Sequence, residues 1–533
     1  MARKRHSLRE LENLYSTGEN ESLLENVIRA FRGIQQLDST HPDSYFNIAG
    51  FHGEPLRGKG AVDGDWWGGF CNHGNVLFPT WHRAYLVRFE NALKRVGGCQ
   101  DVTLPFWDEC FDPKTPNPIP PILTTPKFTL DGEEIDNPLY SYKLQEALDE
   151  NVIMDGKTVK RYSKHKGYET VRFPLASLVG TPKEVEGTYI HNTMYKDPKT
   201  NTDILNWNVV NWLQGKAEIP DDDVHTRRPD TYSILSGFHI CLDAPNYTIF
   251  SNTTSQNNYV AKCSAEHPDD PNSKHVVVSI ESPHNAIHLA VGGFYQKGIY
   301  NADTILGANA DMGDNETASF DLIFFFHHAF VDYVFWAWQK RKELTAAGSL
   351  IVDTTDPGAK SQEGMPYTPA RTVLDMATPL YPFQQLSGDW YTSHDVIDIV
   401  DQLGYEYGPG SLDLLKHDHG LNAPEAAPIV AIKRVSNINR AKIEGSFVIR
   451  TIAKGLHGKE MEIGREAILS RWSVRGCANC QNKLNAESLT PIDKVMLHAL
   501  CDEGEEEKIE YKVQIQTHDK LIAAGGDTTV DDL

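Results

Sequence analysis

Eight cysteines spread over 533 residues are too few for a disulfide-stapled framework, and a chain of this length buries a sizeable core without staples or metal. That scarcity points to a reduced, intracellular setting. No run approaches the roughly eighteen consecutive apolar residues that a membrane-spanning helix needs, so no membrane partner is expected. The N-terminal MARKRHSLRELENLYSTGENESLLENVIRAF begins basic but passes directly into a charged amphipathic pattern, without the apolar core or cleavage site of a secretory leader. A cytoplasmic location is therefore expected, and the Asn-x-Ser/Thr sequences at Asn20, Asn246, Asn252 and Asn315 are read as chance matches. Positive charge is also short. The 51 Lys and Arg against 73 Asp and Glu leave a net charge of -22, with the basic residues scattered, which repels phosphate backbones and excludes nucleic acid as a partner.

What is present fits a soluble globular protein, with 40% hydrophobic and 23% charged residues. Residues 1–345 carry helical periodicity broken by long polar, Pro-rich connections such as Asp112 to Pro126 and Thr181 to Asn201. After a Pro/Gly/Thr-rich stretch near 353–369, the segment GPGSLDLLKHDHGLNAPEAAP from Gly408 to Pro428 reads as a domain linker. Beyond it, IVAIKRV (429–435), GSFVIRTIA (445–453) and KIEYKVQIQT (508–517) alternate as half-buried strands do. The expected fold class is mainly α: a helical-bundle body with long loops over 1–408, a linker over 409–428, and a C-terminal β-sandwich over 429–533. The acidic run at 502–507 is expected to be a solvated loop.

The chemistry lies in the histidines. FPTWHRAYLVRFENALKRV (78–96) opens with Pro79 where the missing N–H costs nothing, and His82, Tyr85, Leu86, Phe89 and Leu93 form one inward stripe. In SPHNAIHLAV (282–291), His284 and His288 stand four residues apart and share a helix face, a chelating spacing. FDLIFFFHHAFVDYVFWAWQK (320–340) is apolar all round, the mark of a buried helix, yet holds His327 and His328. Adjacent helical positions diverge by about 100°, so one of the two is expected to serve a shared site. Asp332, four residues after His328, is expected to accept the free ring N–H of that histidine, which selects His328. A single inward histidine is more often a hydrogen-bonded core residue. Three core-facing helices carrying several of them would leave many buried nitrogens without partners, and a metal cluster satisfies these together. Zinc proteases with H-x-x-x-H place a glutamate after the first histidine, where this chain has Asn285. An all-imidazole site suits copper or zinc and disfavours magnesium or calcium.

These segments resemble those of fungal tyrosinases and their type-3 copper relatives, the catechol oxidases and molluscan haemocyanins, over most of the chain. GFHGEP, WWGGFCNHGN and LFPTWHRAYL are similar to the family's first-copper segments and imply His52, His73 and His82 as ligands. The H-x-x-x-H pair and DLIFFFHHAFVD imply His284, His288 and His328 for a second copper, with Leu322 where the family usually has proline. LPFWDE (104–109) and YEY (405–407) add to the likeness. The resemblance implies two copper ions, with a phenol and O2 as substrates. The reaction implied is hydroxylation of monophenols to o-diphenols and their oxidation to o-quinones, as in melanin biosynthesis; homo-oligomers remain open.

The same resemblance implies further roles. Cys71, two residues before His73 and on the same face of an extended segment, would form a thioether with the histidine ring. Glu281 and Asn285 would hold a water that takes a proton from a monophenol. Cys477 and Cys480, the C-x-x-C of RWSVRGCANCQ (471–481), would deliver copper, since thiolates favour Cu(I). The C-terminal unit would cover the entrance in a latent pro-enzyme, with an apolar side chain near Ile468 or Leu469 as plug. His417 and His419 are read as solvated linker. Alternatives are a catechol oxidase or o-aminophenol oxidase without monophenolase activity, and a haemocyanin-like oxygen carrier, against which Glu281 with Asn285 weighs.

Overall fold

The computed structural model describes residues 2–53, 69–112, 114–154, 157–177, 180, 182–215, 226–227, 233–266, 277–294, 309–361, 367–415, 429–443, 445–458, 460–471, 474, 477–518 and 520–532. Among the helices of the first body are α1 (Leu8–Thr17), α2 (Glu21–Gln36), α3 (Phe78–Lys94), α4 (Pro198–Leu213), α5 (Ile234–Cys241), α6 (Thr253–Glu266), α7 (Glu281–Gly292) and α8 (Ile323–Arg341). Each buries the face that its spacing dictates. In α2, Leu24, Val27, Ile28, Phe31 and Ile34 form the inward stripe. α8 is buried on all sides, as its composition requires, and Leu322 serves as its N-cap residue in place of a proline.

The connection expected from Thr181 to Asn201 contains a helix, Pro182–Asn192, and the first turn of α4. Both begin with a proline, which is tolerated in a first helical turn, and Asp197 caps α4 by accepting from the Thr200 N–H at 3.0 Å. The prolines read as loop markers were start signals.

One buried charge cluster joins the two ends of the first body to its middle. Strand β1 (Arg3–Arg5) pairs in parallel with β2 (Tyr405–Tyr407). Arg5 donates to Glu90 at 2.8 Å and to Asp332 at 3.3 Å, and Arg83 donates to Asp332 at 2.5 Å. The hydroxyls of Tyr405 and Tyr407 each donate to Asp332 at 2.6 Å. Burial alone would raise the Asp332 pKa, but Arg83 and Arg5 hold it below the ordinary carboxylate value. The expectation that Asp332 accepts from His328 is thus corrected. Both carboxylate oxygens are taken by stronger, charged donors, and His328 Nδ1 has no hydrogen-bond partner.

Residues 409–415, expected in the linker, belong to this body. Ser411 N–H donates to Asp108 at 2.8 Å, Leu412 is buried, and Lys340 pairs with Asp413 at 3.0 Å. The remainder, 416–428 with His417 and His419, lies outside the described residues.

The C-terminal region is sheet-rich, as its alternation predicts. Its strands are β3 (Ile429–Asn439), β4 (Phe447–Lys454), β5 (Glu460–Ile468), β6 (Asn485–Asp493), β7 (Glu510–Gln516), β8 (Leu521–Ala523) and β9 (Thr529–Asp532). One sheet has the order β6-β3-β9; the other runs β8-β7-β4-β5. The second is completed by Thr226–Arg227 of the first body, parallel to β5. Val435, Phe447, Ile449, Ile468 and Ile515 form an apolar cluster shared by both sheets. The β-sandwich expectation therefore holds for the shared core, but the sheet is not self-contained, because the body supplies one edge.

Replacing Asp332 with Ala leaves Arg5 and Arg83 buried without their shared carboxylate. Chemical denaturation should show a loss of about 3–5 kcal/mol; a change within experimental error would show that the cluster does not carry the fold.

Candidate metal centre

Three helices and two loop segments bring seven histidines together. His82 comes from α3, His284 and His288 from α7, His327 and His328 from α8, and His52 and His73 from irregular segments on either side of residues 54–68, which are not described. His52, His82, His284, His288, His327 and His328 are fully buried, and His73 is half-buried.

In the first group, ring centroids lie 5.4 Å apart for His52–His73, 5.7 Å for His52–His82 and 5.3 Å for His73–His82. In the second, His284 Nε2 is 3.2 Å from His288 Nε2 and 3.3 Å from His328 Nε2. One donor atom from each of His284, His288, His327 and His328 falls within 4.8 Å of all the others. Donor atoms of His52, His82 and His328 also lie this close, and the His82 and His328 rings stack at 4.5 Å. The two groups are therefore contiguous, with His328 between them.

Most rings are fixed from behind. His82 Nδ1 lies 2.8 Å from the Phe78 carbonyl, His288 Nδ1 2.9 Å from the Met312 carbonyl, and His284 Nδ1 3.0 Å from Asn285 Oδ1. Each contact holds an Nδ1 and leaves Nε2 to face inward, the usual arrangement of a metal-binding imidazole. His327 Nδ1 lies 2.6 Å from Glu109 Oε1. Sequence reasoning missed this contact. The signal was the glutamate at the end of LPFWDE, but nothing local linked it to a helix more than two hundred residues away.

The arrangement fits a metal. Both nitrogens of His52, and Nε2 of His73, His82 and His327, are buried without a hydrogen-bond partner. Each such atom costs about 1–3 kcal/mol if left so. Metal coordination would satisfy these donors together, and the all-imidazole set suits copper or zinc.

Cys71 Sγ belongs to a group with His52 and His73 whose donor atoms lie within 4.8 Å of one another, so the sulfur is within reach of the His73 ring. Glu281 anchors the same loop. Its Oε1 accepts from the Gly74 N–H at 2.7 Å, and its Oε2 accepts from the Thr253 N–H at 2.9 Å and hydroxyl at 3.1 Å. Glu281, Asn285 and His73 line a cavity of about 470 Å³, roofed by Ile468, Leu469 and Lys483 of the C-terminal region. Cys480 lines this cavity too. Cys477 and Cys480, expected as copper-delivering thiolates, form a buried disulfide, and in this form neither offers a thiolate. A C-x-x-C at the start of the short helix Ala478–Asn482 turns the two sulfurs toward each other.

Burial is the main cause holding the imidazoles neutral. It depresses His82 to about 3 and His288 to about 4, and puts His52, His73, His284, His327 and His328 well below the ordinary histidine value. Below pH 6.5 the unfolded chain therefore binds more protons than the folded one, and stability falls as pH drops toward 4. Glu12 and Glu466, both pushed up to about 7 by burial, act oppositely, as do Glu109, Asp108 and Asp311, which burial also raises, but the seven imidazoles outnumber these five. The metal-free protein should lose thermal stability steadily between pH 6.5 and pH 4; a flat Tm across that window would contradict neutral imidazoles.

Comparison with known proteins agrees with this site. The family model described as the common central domain of tyrosinase matches residues 42–341, which contain all seven histidines. A tyrosinase of Hahella sp. (strain CCB-MM4) is 41% identical over 98% of this chain and 94% of its own length. A tyrosinase of Aspergillus oryzae (strain ATCC 42149 / RIB 40) is 40% identical over 89% of this chain and 87% of its own. Among solved structures, the tyrosinase from Burkholderia thailandensis at low pH aligns over 100% of both chains with a TM-score of 0.78 and 39% identity. With a family model spanning more than half of its length and such relatives along nearly all of it, the chain belongs to the tyrosinase family, the dicopper oxidases that act on phenols with O2.

Proposed function

We propose that this chain hydroxylates monophenols to o-diphenols and oxidises o-diphenols to o-quinones, and that it is latent until its C-terminal region is displaced. The observation that carries this reading is the cavity in which Glu281 and Asn285 stand beside His73, roofed by the C-terminal region. In this reading His52, His73 and His82 hold one copper ion, and His284, His288 and His328 the other. The copper pair, when bound, supplies the redox chemistry with O2. His328 is preferred to His327 because its Nε2 lies 3.3 Å from His284 Nε2 and its donor atom also lies close to those of His52 and His82, so it stands where the two groups meet.

The protein's own groups position the substrate and handle its proton. Glu281 Oε1 accepts a single hydrogen bond, which leaves it acceptor capacity toward the cavity. With the Asn285 amide beside it, it would orient a water that receives the phenolic proton. Ile468 and Leu469 close the cavity from above and keep bulk phenols out. Copper loading should bring the metal content to two ions per chain by elemental analysis. Loading should be slower in the Cys477→Ser/Cys480→Ser variant, because the dithiol form, generated by a thiol reductant, would hand Cu(I) through the cavity that Cys480 lines. Cutting the loaded chain between 416 and 428 should raise oxygen uptake with both a monophenol and a diphenol. Unchanged uptake after clean cleavage would remove latency, and uptake with the diphenol alone would make the chain a catechol oxidase and remove the base role of Glu281.

We also propose a bond between Cys71 Sγ and a ring carbon of His73, with the thiol and ring hydrogens passing to O2 as oxidant. The peptide spanning both residues should be lighter by two hydrogens after copper loading in air; an unaltered mass would rule the bond out.

A further inference from the structure

The histidine cluster is walled by rings, and few of them can lose an electron. Among the described residues, three aromatic rings other than the histidines pack against it. Phe78 lies 4.7 Å from His82 and 4.9 Å from His284, Phe324 lies 4.1 Å from His328 and 4.8 Å from His52, and Trp81 lies 4.8 Å from His82 and 6.3 Å from His52. The benzene ring of phenylalanine resists one-electron oxidation, whereas indole and phenol give up an electron readily. Of these three rings only Trp81 is redox-active, and it is fully buried.

Two paths lead on from Trp81. One reaches Tyr85, whose ring is 5.1 Å away, and stops there, because the further neighbours of Tyr85 are Phe324, Phe325 and Phe383. The buried Tyr85 hydroxyl donates to the Ile48 carbonyl at 2.8 Å, and a carbonyl cannot take the proton that a phenol releases on losing an electron. The other path runs outward. Trp81 Nε1 donates to the Tyr381 backbone carbonyl at 2.7 Å, so one hydrogen bond joins the two residues, and the carbonyl dipole favours positive charge on the indole. The half-buried Tyr381 ring lies 5.0 Å from Trp390. A two-stranded hairpin, Pro379–Gln384 against Trp390–Thr392, sets these two rings together, and Trp390 is 37% exposed. Packing alone would be served as well by phenylalanine, which this core uses freely elsewhere.

We propose that Trp81, Tyr381 and Trp390 form a relay that carries single oxidising equivalents from the histidine-bound metals to the protein surface when no phenol is present, and that a soluble thiol restores Trp390 there. The inference rests on the oxidase reading for its source of oxidant and goes beyond the phenol reaction. An electron moves from Trp390 through Tyr381 and Trp81 to the metal centre, with O2 as the final acceptor. The Trp390 indole releases its N–H proton to water. A thiol then returns an electron and a proton, and two thiyl radicals pair as a disulfide. Electron tunnelling weakens steeply with distance, so short steps between neighbouring residues draw the charge outward before it attacks an imidazole.

The test is where oxidation lands. The copper-loaded full chain is treated with hydrogen peroxide in the absence of phenol, and its peptides are weighed. Oxygen addition should concentrate on Trp390, and glutathione should suppress it. In the Trp81→Phe and Tyr381→Phe variants, oxidation of Trp390 should fall to the level of the metal-free chain and shift to His52 and His82, the imidazoles beside Trp81. Trp390 oxidised equally in Tyr381→Phe and the unaltered chain, or equally with and without copper, would overturn the relay. Tyr381→Phe keeps the carbonyl that holds Trp81, so this outcome decides even if Trp81→Phe failed to fold. A second arm needs no copper. In the metal-free chain a light-driven ruthenium oxidant should oxidise Trp81 along with Trp390 and spare Trp107 and Trp338, which are equally buried. The same outcome for all three buried indoles, whether reacted or spared, would overturn the relay. Oxygen uptake with catechol by the copper-loaded nicked chain separates the two readings: its absence would count against the oxidase reading and leave the ruthenium arm to decide the relay.

Discussion

The carboxylate of Asp332 is the point on which the geometry of the centre depends. It sits on α8 four residues beyond His328, and it receives Arg83 from α3, one residue beyond His82. The two helices that carry His82 and His328 are thus fixed to each other through one buried ion pair. Arg5, Tyr405 and Tyr407 add strands from both ends of the body to the same carboxylate. Close charge pairing of this kind is weak as a source of net stability but strict about position, since any displacement leaves a buried charge exposed to an apolar surrounding. A histidine cluster drawn from separate segments needs that strictness, because no single helix fixes its geometry.

Glu281 connects the second half of the site in a comparable way. Its two oxygens bridge the His73 loop and the start of α6, while its own backbone opens the helix that carries His284 and His288. The group proposed to orient the proton-accepting water is also the clasp that holds the His73 loop. Substitutions at Glu281 therefore mix two effects, and the charge and the clasp are better separated through Thr253 and Lys483, which touch the carboxylate's surroundings without bridging the loop.

Much of this was legible in the sequence, for identifiable reasons. His82, His284 and His288 sit on helices where local periodic spacing sets the inward face, whereas the helix of His328 is apolar all round and the choice of His328 over His327 rested on Asp332 and on resemblance. His52 and His73 have no such periodicity and were legible only by resemblance. The partner assigned to Asp332 was wrong because helical spacing brings His328 near but says nothing of Arg5 and Arg83, whose charges compete from far along the chain. The helix at Pro182–Asn192 was hidden by prolines that resemble loop signals until their place in a first turn is known. Glu109 behind His327, and Lys483 beside Thr253, depend on contacts between remote segments, which no single-sequence pattern encodes.

The placement of Cys480 gives the cavity a second meaning. The disulfide opens onto the same space that reaches His73 and Glu281, so the route by which metal would arrive and the route by which phenol would arrive are one doorway. Two kinds of traffic through one door must take turns. A closed C-terminal region would then act as a timetable as much as a cover, reserving the passage for metal during assembly and surrendering it to substrate only afterwards.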